Sequence, residues 1–255
     1  SDLETLIPQT LTGAQINRAR DLIIKWRKAR VSKYNDWNEY TRVLSSDYVL
    51  VCDQTRGDDS IRYGKADHDS FASMLTAALA EYPDSTIVVK THPDVLARAK
   101  RSYFDKSALE TNHRILAITE ACHPVSLIEH ARAVYTVTSQ IGFEALIWGK
   151  QVRTFGMPFY AGWGLTDDNL PESRRGVNVT LEQLVHAALI RYPRYIDPLA
   201  HTPCEIERVI EHISLQRQKR GQFPPEINLV GVSRWKRRFI KNFLQGSKLK
   251  FISDS

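Results

Sequence analysis

Short, almost continuously apolar runs alternate with amphipathic stretches through the middle of the chain. The runs contain four to six residues each and are rich in β-branched side chains, which is typical of strands buried on both faces of a parallel sheet. They are Tyr48–Cys52, Thr86–Val89, Arg114–Ile118, Ala133–Thr138 and Val152–Phe155, and the helical stretches between them are Asp69–Tyr82, Pro124–His130 and Ile141–Trp148. This alternation predicts βαβ units, and therefore an α/β fold with a Rossmann-like doubly wound parallel sheet.

Helical patterns flank the predicted sheet on both sides. An amphipathic helix over residues 14–31, capped by Thr12 or Gly13, precedes it. A segment rich in glycine and proline follows, then two helices at about 180–191 and 203–218, an expected linker over Gly221–Gly231 and a short basic helix over Arg234–Leu244. The predicted organisation is connecting helices over 1–45, a Rossmann-like domain over 46–170, a helical closing segment over 171–220 and a basic tail over 221–255.

Composition narrows the class of protein. The 255 residues are 42% hydrophobic and 25% charged, which is ordinary for a folded soluble protein and excludes a mainly disordered one. No apolar stretch approaches the ~18 residues that a membrane-spanning helix needs, and no signal peptide opens the chain. Three widely spaced cysteines fit neither a disulfide framework nor a zinc site, and they favour a reducing, cytoplasmic location.

The net charge of +6 comes from one end of the chain. Between Arg217 and Lys250 there are ten basic residues and one acidic residue, so the rest of the chain is close to neutral. A basic helix carrying Trp235, Phe239 and Phe243 can lie on an anionic membrane surface, which we assign to residues 234–250. The alternative is a helix that packs on another domain. Nucleic-acid binding through this tail ranks lowest among the hypotheses, and no nucleic-acid partner is expected.

In an open parallel sheet, ligands bind beyond the carboxyl ends of the strands. The loop after the first strand contains Asp53, Asp58 and Asp59 together with Arg56 and Arg62. Such a loop can provide a carboxylate nucleophile or base beside cations that bind an anionic substrate. The alternative is a solvated turn that caps a helix.

Two further strand ends have residues suited to an anion. Lys90 and His92 end the second strand, and a histidine there can donate a hydrogen bond to a phosphate. Thr138, Ser139 and Gln140 follow the fourth strand at a predicted helix N-terminus, and Glu144 lies one turn further on, where it could bind a ribose diol. The alternatives are a histidine satisfied by the local backbone and a plain N-cap with a Glu that favours the helix dipole.

Several well-known signatures are missing. The chain contains no G-x-x-x-x-G-K-[ST] phosphate loop, no H-E-x-x-H motif, no paired cysteine site and no G-x-S-x-G turn. His123-Pro124 repeats the dipeptide His92-Pro93, but its proline more simply begins a helix. We therefore expect neither a metal nor a cofactor.

Five ordered blocks over roughly 150 residues resemble the KpsC-type capsule polysaccharide glycosyltransferases. The blocks are Asp53-Gln54-Thr55 with Asp58 and Ser60, Lys90-x-His92-Pro93-Asp94-Val95-Leu96, Val137-Thr138-Ser139-Gln140-x-Gly142-Phe143-Glu144, Phe155-Gly156-x-Pro158-Phe159-Tyr160, and Arg191-Tyr192-x-Arg194-Tyr195-Ile196-Asp197-Pro198. The resemblance implies an enzyme that transfers Kdo, an acidic eight-carbon sugar, from CMP-Kdo to a lipid-linked saccharide acceptor with retention of configuration. It also implies a GT-B-type architecture in which residues 46–170 bind the CMP-sugar.

The resemblance assigns roles to the residues at the strand ends. It implies that His92, Ser139 and Thr138, with Gln140 beside them, contact the donor phosphate and that Glu144 contacts the ribose. Asp58 becomes the first candidate for a carboxylate nucleophile, while Asp53 more simply organises its loop. The Kdo carboxylate would be neutralised by Lys90, Arg56 or Arg62.

One departure from the family concerns the acceptor side of the enzyme. In the family an acceptor-binding domain precedes the stretch that matches Ser1–Glu4, and a complete two-domain enzyme needs more than about 300 residues. We therefore expect this chain to be the donor half, without the amino-terminal domain, completed by an acceptor domain. The alternative is a non-catalytic module that binds CMP or a phosphosugar. A location at the inner membrane, held peripherally, would suit a lipid-linked acceptor.

Overall fold

The central element is a parallel sheet. The computed structural model describes residues 1–91, 102–104, 109–171, 173–220, 226–233, 236–237, 240 and 248–252. In this part of the chain the strands are β1 Tyr48–Cys52, β2 Thr86–Lys90, β3 Ile115–Ile118, β4 Ala133–Thr136, β5 Gln151–Thr154 and β6 Asp167–Asp168. They form one six-stranded sheet in the order β3-β2-β1-β4-β5-β6, in which every pair is parallel. This order is the doubly wound, Rossmann-like arrangement, so the predicted fold class is confirmed.

Burial follows each strand's place in the sheet. β1 lies in the centre between β2 and β4, and all five of its residues are buried. Tyr48 and Leu50 pack on one face of the sheet, and Val49 and Val51 pack on the other. The expectation that every strand is buried on both faces is wrong for β3, where Leu116 is 40% exposed. β3 is an edge strand, so neighbours cover only part of its surface.

Helices cover both faces of the sheet. They are α1 Asp2–Leu6, α2 Gly13–Ala29, α3 Asp59–Tyr63, α4 His68–Glu81, α5 Val125–Ile128, α6 Gln140–Ile147, α7 Leu181–Val185 and α8 Ile206–Arg220, with a π-helical turn over His186–Arg191 and a 3-10 turn over Ser173–Arg175. The Thr12 hydroxyl accepts a hydrogen bond from the Gln15 amide and caps α2, as the sequence predicts. The helix ends earlier than predicted because Arg30 is left-handed, with φ of 52°.

The amino-terminal and closing segments share one hydrophobic core with the sheet. Leu22 and Trp26 of α2, Leu184 of α7 and Ile206 of α8 belong to the same buried cluster as Leu50 of the central strand. The opposite face of the sheet packs against α4 through its buried apolar side chains. The helices on either side of the Rossmann-like domain therefore pack on it directly and stabilise it by apolar burial.

The carboxyl-terminal region departs from the prediction of a linker. Residues 226–230 form β9 (Glu226–Val230), which pairs in parallel with β10 (Lys248–Ile252), and a short antiparallel pair joins β7 (Tyr195–Ile196) to β8 (Pro203–Cys204). In β9, half-buried Ile227 and Leu229 alternate with exposed neighbours, which is the period of a strand. Of the predicted basic helix, residues 236, 237 and 240 are described and helical. The rest of that helix and most of the predicted membrane-binding range lie outside the described residues.

No helix in the described part of the chain is long and apolar enough to cross a membrane.

Candidate functional site

A cleft of about 290 Å³ opens at the carboxyl ends of β1, β2 and β4. The order of the sheet reverses direction between β1 and β4, and ligands of doubly wound proteins bind at this switch point. The lining comes from the ends of β1 to β5 and the loops after them, from the first turn of α6 and from the segment that follows α2. Its residues are Lys33, Tyr34, Trp37, Asp53, Gln54, Asp58, Ser60, Lys90, Thr91, Cys122, Pro124, Thr138, Ser139, Gln140, Ile141 and Phe159.

One end of the cleft is the N-terminus of α6. Ser139 caps this helix: its hydroxyl accepts a hydrogen bond from the Ile141 amide at 3.3 Å, and its own amide donates to the Thr136 hydroxyl at 3.0 Å. Ser139, Gln140 and Ile141 all line the cleft. The amides of a helix N-terminus and the positive end of the helix dipole favour an anion, so this end is suited to a phosphate.

A hydrogen-bonded cluster joins the loops after β1 and β4. The Thr138 amide donates to Gln54 Oε1, and Gln54 Nε2 donates to Thr138 Oγ1, both at 2.9 Å. The Ser60 and Thr138 hydroxyl oxygens are 3.1 Å apart. A side chain at Gly64 would collide with this cluster, since its Cβ would overlap Thr138 Cγ2. The hydrogen bond between the Thr138 amide and Gln54 also explains why β4 ends at Thr136 rather than at Thr138 as predicted. The Thr138 amide bonds to the Gln54 side chain and so cannot donate to a neighbouring strand.

Two carboxylates reach the cleft, and their surroundings differ. Asp58 caps α3, accepting a hydrogen bond from the Ser60 amide at 2.9 Å, and it is only partly buried. Asp53 is buried and accepts hydrogen bonds from the Ser102 hydroxyl at 2.7 Å and the Tyr103 amide at 3.2 Å. Asp59 is exposed and does not line the cleft. Asp53 thus links the loop after β1 to residues 102 and 103 rather than organising that loop internally, and Asp58 is the carboxylate better placed to meet a ligand.

The predicted cationic residues are divided between the cleft and the outer surface. Lys90 lines the cleft, where its ammonium donates to the Thr91 carbonyl at 2.7 Å and burial lowers its pKa. Arg56 and Arg62 are exposed and do not line the cleft. Their guanidinium groups lie over the rings of Tyr103 and Tyr63, at 5.7 and 5.9 Å. The structure therefore brings Lys90 to the other candidate residues and leaves the two arginines outside.

Glu144 lies beneath the cleft rather than in it. The residue is fully buried in α6 and does not belong to the lining. Its two carboxylate oxygens accept hydrogen bonds from the Ser32 hydroxyl at 2.6 Å and the Lys33 amide at 2.9 Å. Burial raises the pKa of Glu144 to about 7. This geometry gives no support to the predicted contact with a ribose.

An aromatic wall that was not predicted from the sequence forms one side of the cleft. Tyr34 and Trp37 line the cleft with their rings stacked, the centroids 4.7 Å apart and the planes at 5° to each other. Lys33 lies beside them, and Phe159 also lines the cleft. Two aromatic residues three positions apart in an otherwise polar segment were the available signal. That segment was interpreted only as a connection between domains.

Of the two His-Pro dipeptides, only His123-Pro124 lies among the described residues. His92 lies outside the described residues, so its predicted phosphate contact stays a prediction. Pro124 caps α5, as expected of a proline that begins a helix, and it also lines the cleft.

Metal binding was not expected, and within the described ranges no three His, Cys, Asp or Glu side chains form a group that could hold an ion.

Most of the chain matches one protein family. The profile of the family described as capsule polysaccharide biosynthesis protein matches residues 9–195. The chain belongs to this family. Among curated proteins, it is 39% identical over 270 aligned positions to the capsule polysaccharide modification protein LipA of Neisseria meningitidis serogroup B. It is 36% identical over 225 positions to the lipopolysaccharide-processing protein LpsZ of Rhizobium meliloti.

The match extends over almost all of this chain but only part of these relatives. It covers 99% of the chain and 37% of LipA, and 85% of the chain and 50% of LpsZ. The chain therefore spans just over a third of the length of LipA.

Two solved structures share the fold of this chain. The β-Kdo 2,4 transferase of Thermosulfurimonas dismutans KpsC superposes with a TM-score of 0.77 at 40% sequence identity, covering 83% of this chain and 67% of the solved one. The β-Kdo 2,7 transferase of the same KpsC gives 0.67 at 28% identity, covering 86% and 68%. The resemblance to KpsC-type proteins is thus confirmed in sequence and in fold.

Proposed function

We propose that this chain is the donor-binding part of a retaining glycosyltransferase that transfers Kdo from CMP-Kdo to a lipid-linked saccharide acceptor during capsule biosynthesis. The observation that carries the proposal is the cleft at the switch point of a fold that matches KpsC Kdo transferases. One end of that cleft is a helix N-terminus, and the carboxylate of Asp58 lies at its surface. A retaining CMP-sugar transferase has to bind an anionic leaving group and provide a nucleophile.

The phosphate of CMP fits the N-terminal end of α6. The Ser139 hydroxyl and the backbone amide of Gln140, the first residue of the helix, can donate hydrogen bonds to its oxygens, and the Thr138 hydroxyl lies beside them. CMP leaves with a single phosphate, so donors fixed in advance and a helix dipole are sufficient to stabilise the charge that develops on it. Lys33 and Lys90 add positive charge at the same cleft, where the sugar carboxylate also needs a partner. We therefore propose that transfer requires no metal or other cofactor.

Retention of configuration requires two displacements at the same carbon. In the first, an Asp58 carboxylate oxygen attacks the anomeric carbon, and the bond to the phosphate oxygen breaks as CMP leaves with the electron pair. In the second, an acceptor hydroxyl attacks the same anomeric carbon from the face that CMP left. The bond between that carbon and the Asp58 oxygen breaks and releases the carboxylate, and the hydroxyl proton passes to solvent water. The partly buried position of Asp58 at the helix cap keeps the side chain ordered and accessible for both steps.

The acceptor site is proposed to lie in a further domain. The chain spans 37% of LipA and 67% of the KpsC 2,4 transferase structure, which favours a donor part that works with additional protein. In this arrangement the acceptor domain closes over the cleft, and the lipid-linked acceptor keeps the enzyme at the inner membrane. The alternative is that this chain binds CMP or a phosphosugar without turnover, which the same observation permits.

A transfer assay separates these functions. The chain, alone and joined to the amino-terminal portion of a LipA-like relative, is incubated with CMP-Kdo and a lipid-linked saccharide, and the acceptor is analysed by mass spectrometry. Kdo addition only in the joined protein supports a donor half. CMP binding without product in either form supports the non-catalytic module. Absence of both CMP binding and product contradicts the proposal.

Replacing Ser139 with alanine is expected to weaken CMP binding roughly tenfold, since a hydroxyl hydrogen bond to a charged phosphate oxygen is lost. The variant also loses the cap of α6, at a cost of about 1 kcal/mol in the free energy of unfolding. Thr12→Ala is the matched control, because it removes the cap of α2, outside the cleft. Calorimetric titration with CMP should show a loss in Ser139→Ala alone. Equal affinities of the two variants would contradict a phosphate site at Ser139.

A further inference from the structure

The anion end and the aromatic wall of the cleft are connected through one buried carboxylate. Glu144 lies in the second turn of α6, the helix whose N-terminus forms the anion end. Its oxygens accept hydrogen bonds from the Ser32 hydroxyl and the Lys33 amide. The next residue, Tyr34, begins the aromatic wall.

The segment over residues 32–37 is irregular, and side-chain contacts hold it in place. Within it, Asn35 Oδ1 accepts from the Ser32 amide at 2.9 Å. From outside, Arg217 donates to the Asn35 carbonyl at 3.2 Å. Glu144 makes a buried attachment and fixes two consecutive residues, so its loss would release the segment at the point where Tyr34 and Trp37 enter the cleft.

The spacing suits a nucleotide. Ser139 and Glu144 are five residues apart, which is about 7.5 Å along a helix. Because Glu144 contacts the Lys33 amide directly, the aromatic wall begins within about two helical turns of the phosphate end. A nucleoside monophosphate spans a comparable length from phosphate to base. A flat aromatic surface at that distance is suited to stack on a nucleobase.

We propose that Glu144 is a positioning residue that holds Tyr34 and Trp37 as the surface on which the nucleobase of the donor stacks. The inference rests on the proposed function, since it places the base of the same nucleotide whose phosphate lies at the N-terminus of α6. Glu144 does not touch the donor, and it acts by fixing the backbone at Ser32 and Lys33. The wall and the anion site therefore keep a constant separation.

If Glu144 positions the base-binding surface only, its loss should weaken binding of a ligand with a base and spare a ligand that has only the sugar phosphate. Binding of CMP and of ribose 5-phosphate, which lacks a base, is measured by calorimetric titration of the wild-type protein and its variants. Glu144→Ala and Trp37→Ala are each expected to weaken CMP binding roughly tenfold, the size of a lost stacking contact. Ribose 5-phosphate affinity should stay within about twofold, because the α6 N-terminus is unchanged.

The conservative variant distinguishes positioning from packing. In Glu144→Gln the amide oxygen can still accept from the Lys33 amide, and the amide nitrogen can donate to the Ser32 hydroxyl, so CMP affinity should return to the wild-type value. Asp197→Asn is the matched control for loss of a buried carboxylate. Asp197 is buried away from the cleft lining and accepts hydrogen bonds from Arg208 and the Leu199 amide. This variant should bind both ligands as the wild type does.

The binding results distinguish failure of the positioning role of Glu144 from failure of the proposed function. Equal weakening of CMP and ribose 5-phosphate in Glu144→Ala, or unchanged CMP binding in both Glu144→Ala and Trp37→Ala, would overturn the positioning role and leave the proposed function standing. If Glu144→Ala fails to fold, Trp37→Ala still tests the stacking surface, because its side chain is only partly buried. If the wild-type protein binds neither ligand, the proposed function fails, and the inference fails with it.

Discussion

Replacing Asp58 with asparagine is expected to lower kcat for Kdo transfer roughly a thousandfold or more, because an amide cannot form the covalent sugar–enzyme ester. The fold should tolerate the change. Asp58 accepts one hydrogen bond from the Ser60 amide, and the Asn side-chain oxygen can accept the same bond, since the two residues are equally good N-caps. Donor binding should stay within about threefold of wild type, since the α6 N-terminus is unaltered. The rate is measured as CMP release in the protein that contains the acceptor domain.

Asp59→Asn is the control for this experiment. Asp59 is the next residue and carries the same charge, but it is exposed and outside the cleft lining. Its replacement should leave kcat within about threefold of wild type, as surface substitutions usually do. A large loss of rate in Asp59→Asn with normal rate in Asp58→Asn would move the nucleophile by one residue. Normal rates in both variants would remove this loop from the covalent step.

The strands could be predicted because their signal is local. Burial on both faces leaves an unbroken apolar run, and the central strand β1 was predicted with its bounds as observed. The end of β4 was not predicted, because the Thr138 amide bonds to a side chain that lies 84 positions away in sequence. The strand over residues 226–230 was missed for a similar reason. Its alternation is short, and its partner strand begins only at residue 248.

In the candidate site, too, the residues that could be predicted are those with a local sequence signal. A serine at a strand-to-helix turn and an aspartate in a loop after a strand are local patterns, and the structure brings Ser139 and Asp58 into one cleft. The contacts of Glu144 could not be predicted from the residues around it in the sequence. Its position in the helix suggested a contact with a ribose or a charge that favours the helix dipole, whereas its hydrogen-bond partners, Ser32 and Lys33, lie more than a hundred residues earlier. The aromatic wall was missed because it depends on this same long-range contact.

The raised pKa of Glu144 has a measurable consequence for stability. In the unfolded chain the group titrates near 4.5, and in the folded protein near 7, because burial disfavours the charged form. Below pH 4.5 the carboxyl is protonated in both states. As pH rises, the unfolded state ionises first, so the free energy of unfolding falls until the folded group has also ionised. At about 1.4 kcal/mol per pKa unit, the loss between pH 4 and pH 8 is about 3 kcal/mol.

Glu144→Gln removes this titration and keeps the shape of the side chain. The difference in unfolding free energy between wild type and Glu144→Gln, measured by urea denaturation, should therefore shift by about 3 kcal/mol against the wild type from pH 4 to pH 8. The charged or titratable groups that act on the carboxylate are the Lys33 ammonium, which opposes the shift, and the Cys52 thiol. Burial raises the pKa of Cys52 to about 12, so the thiol stays neutral throughout this range.

A second carboxylate gives the opposite slope and serves as the control. The Arg20 guanidinium, 2.8 Å from Glu182, lowers the pKa of that group, so its contribution to stability is lost as pH falls and is present at neutral pH. The difference between wild type and Glu182→Gln should therefore move in favour of the wild type from pH 3 to pH 6. A pH-independent difference for Glu144→Gln, beside the expected slope for Glu182→Gln, would mean that Glu144 has the same pKa in the folded and unfolded states, so that burial does not disfavour its charged form. The contact that holds residues 32 and 33 would then be a charged one at neutral pH and would lose its charge only below about pH 4.5.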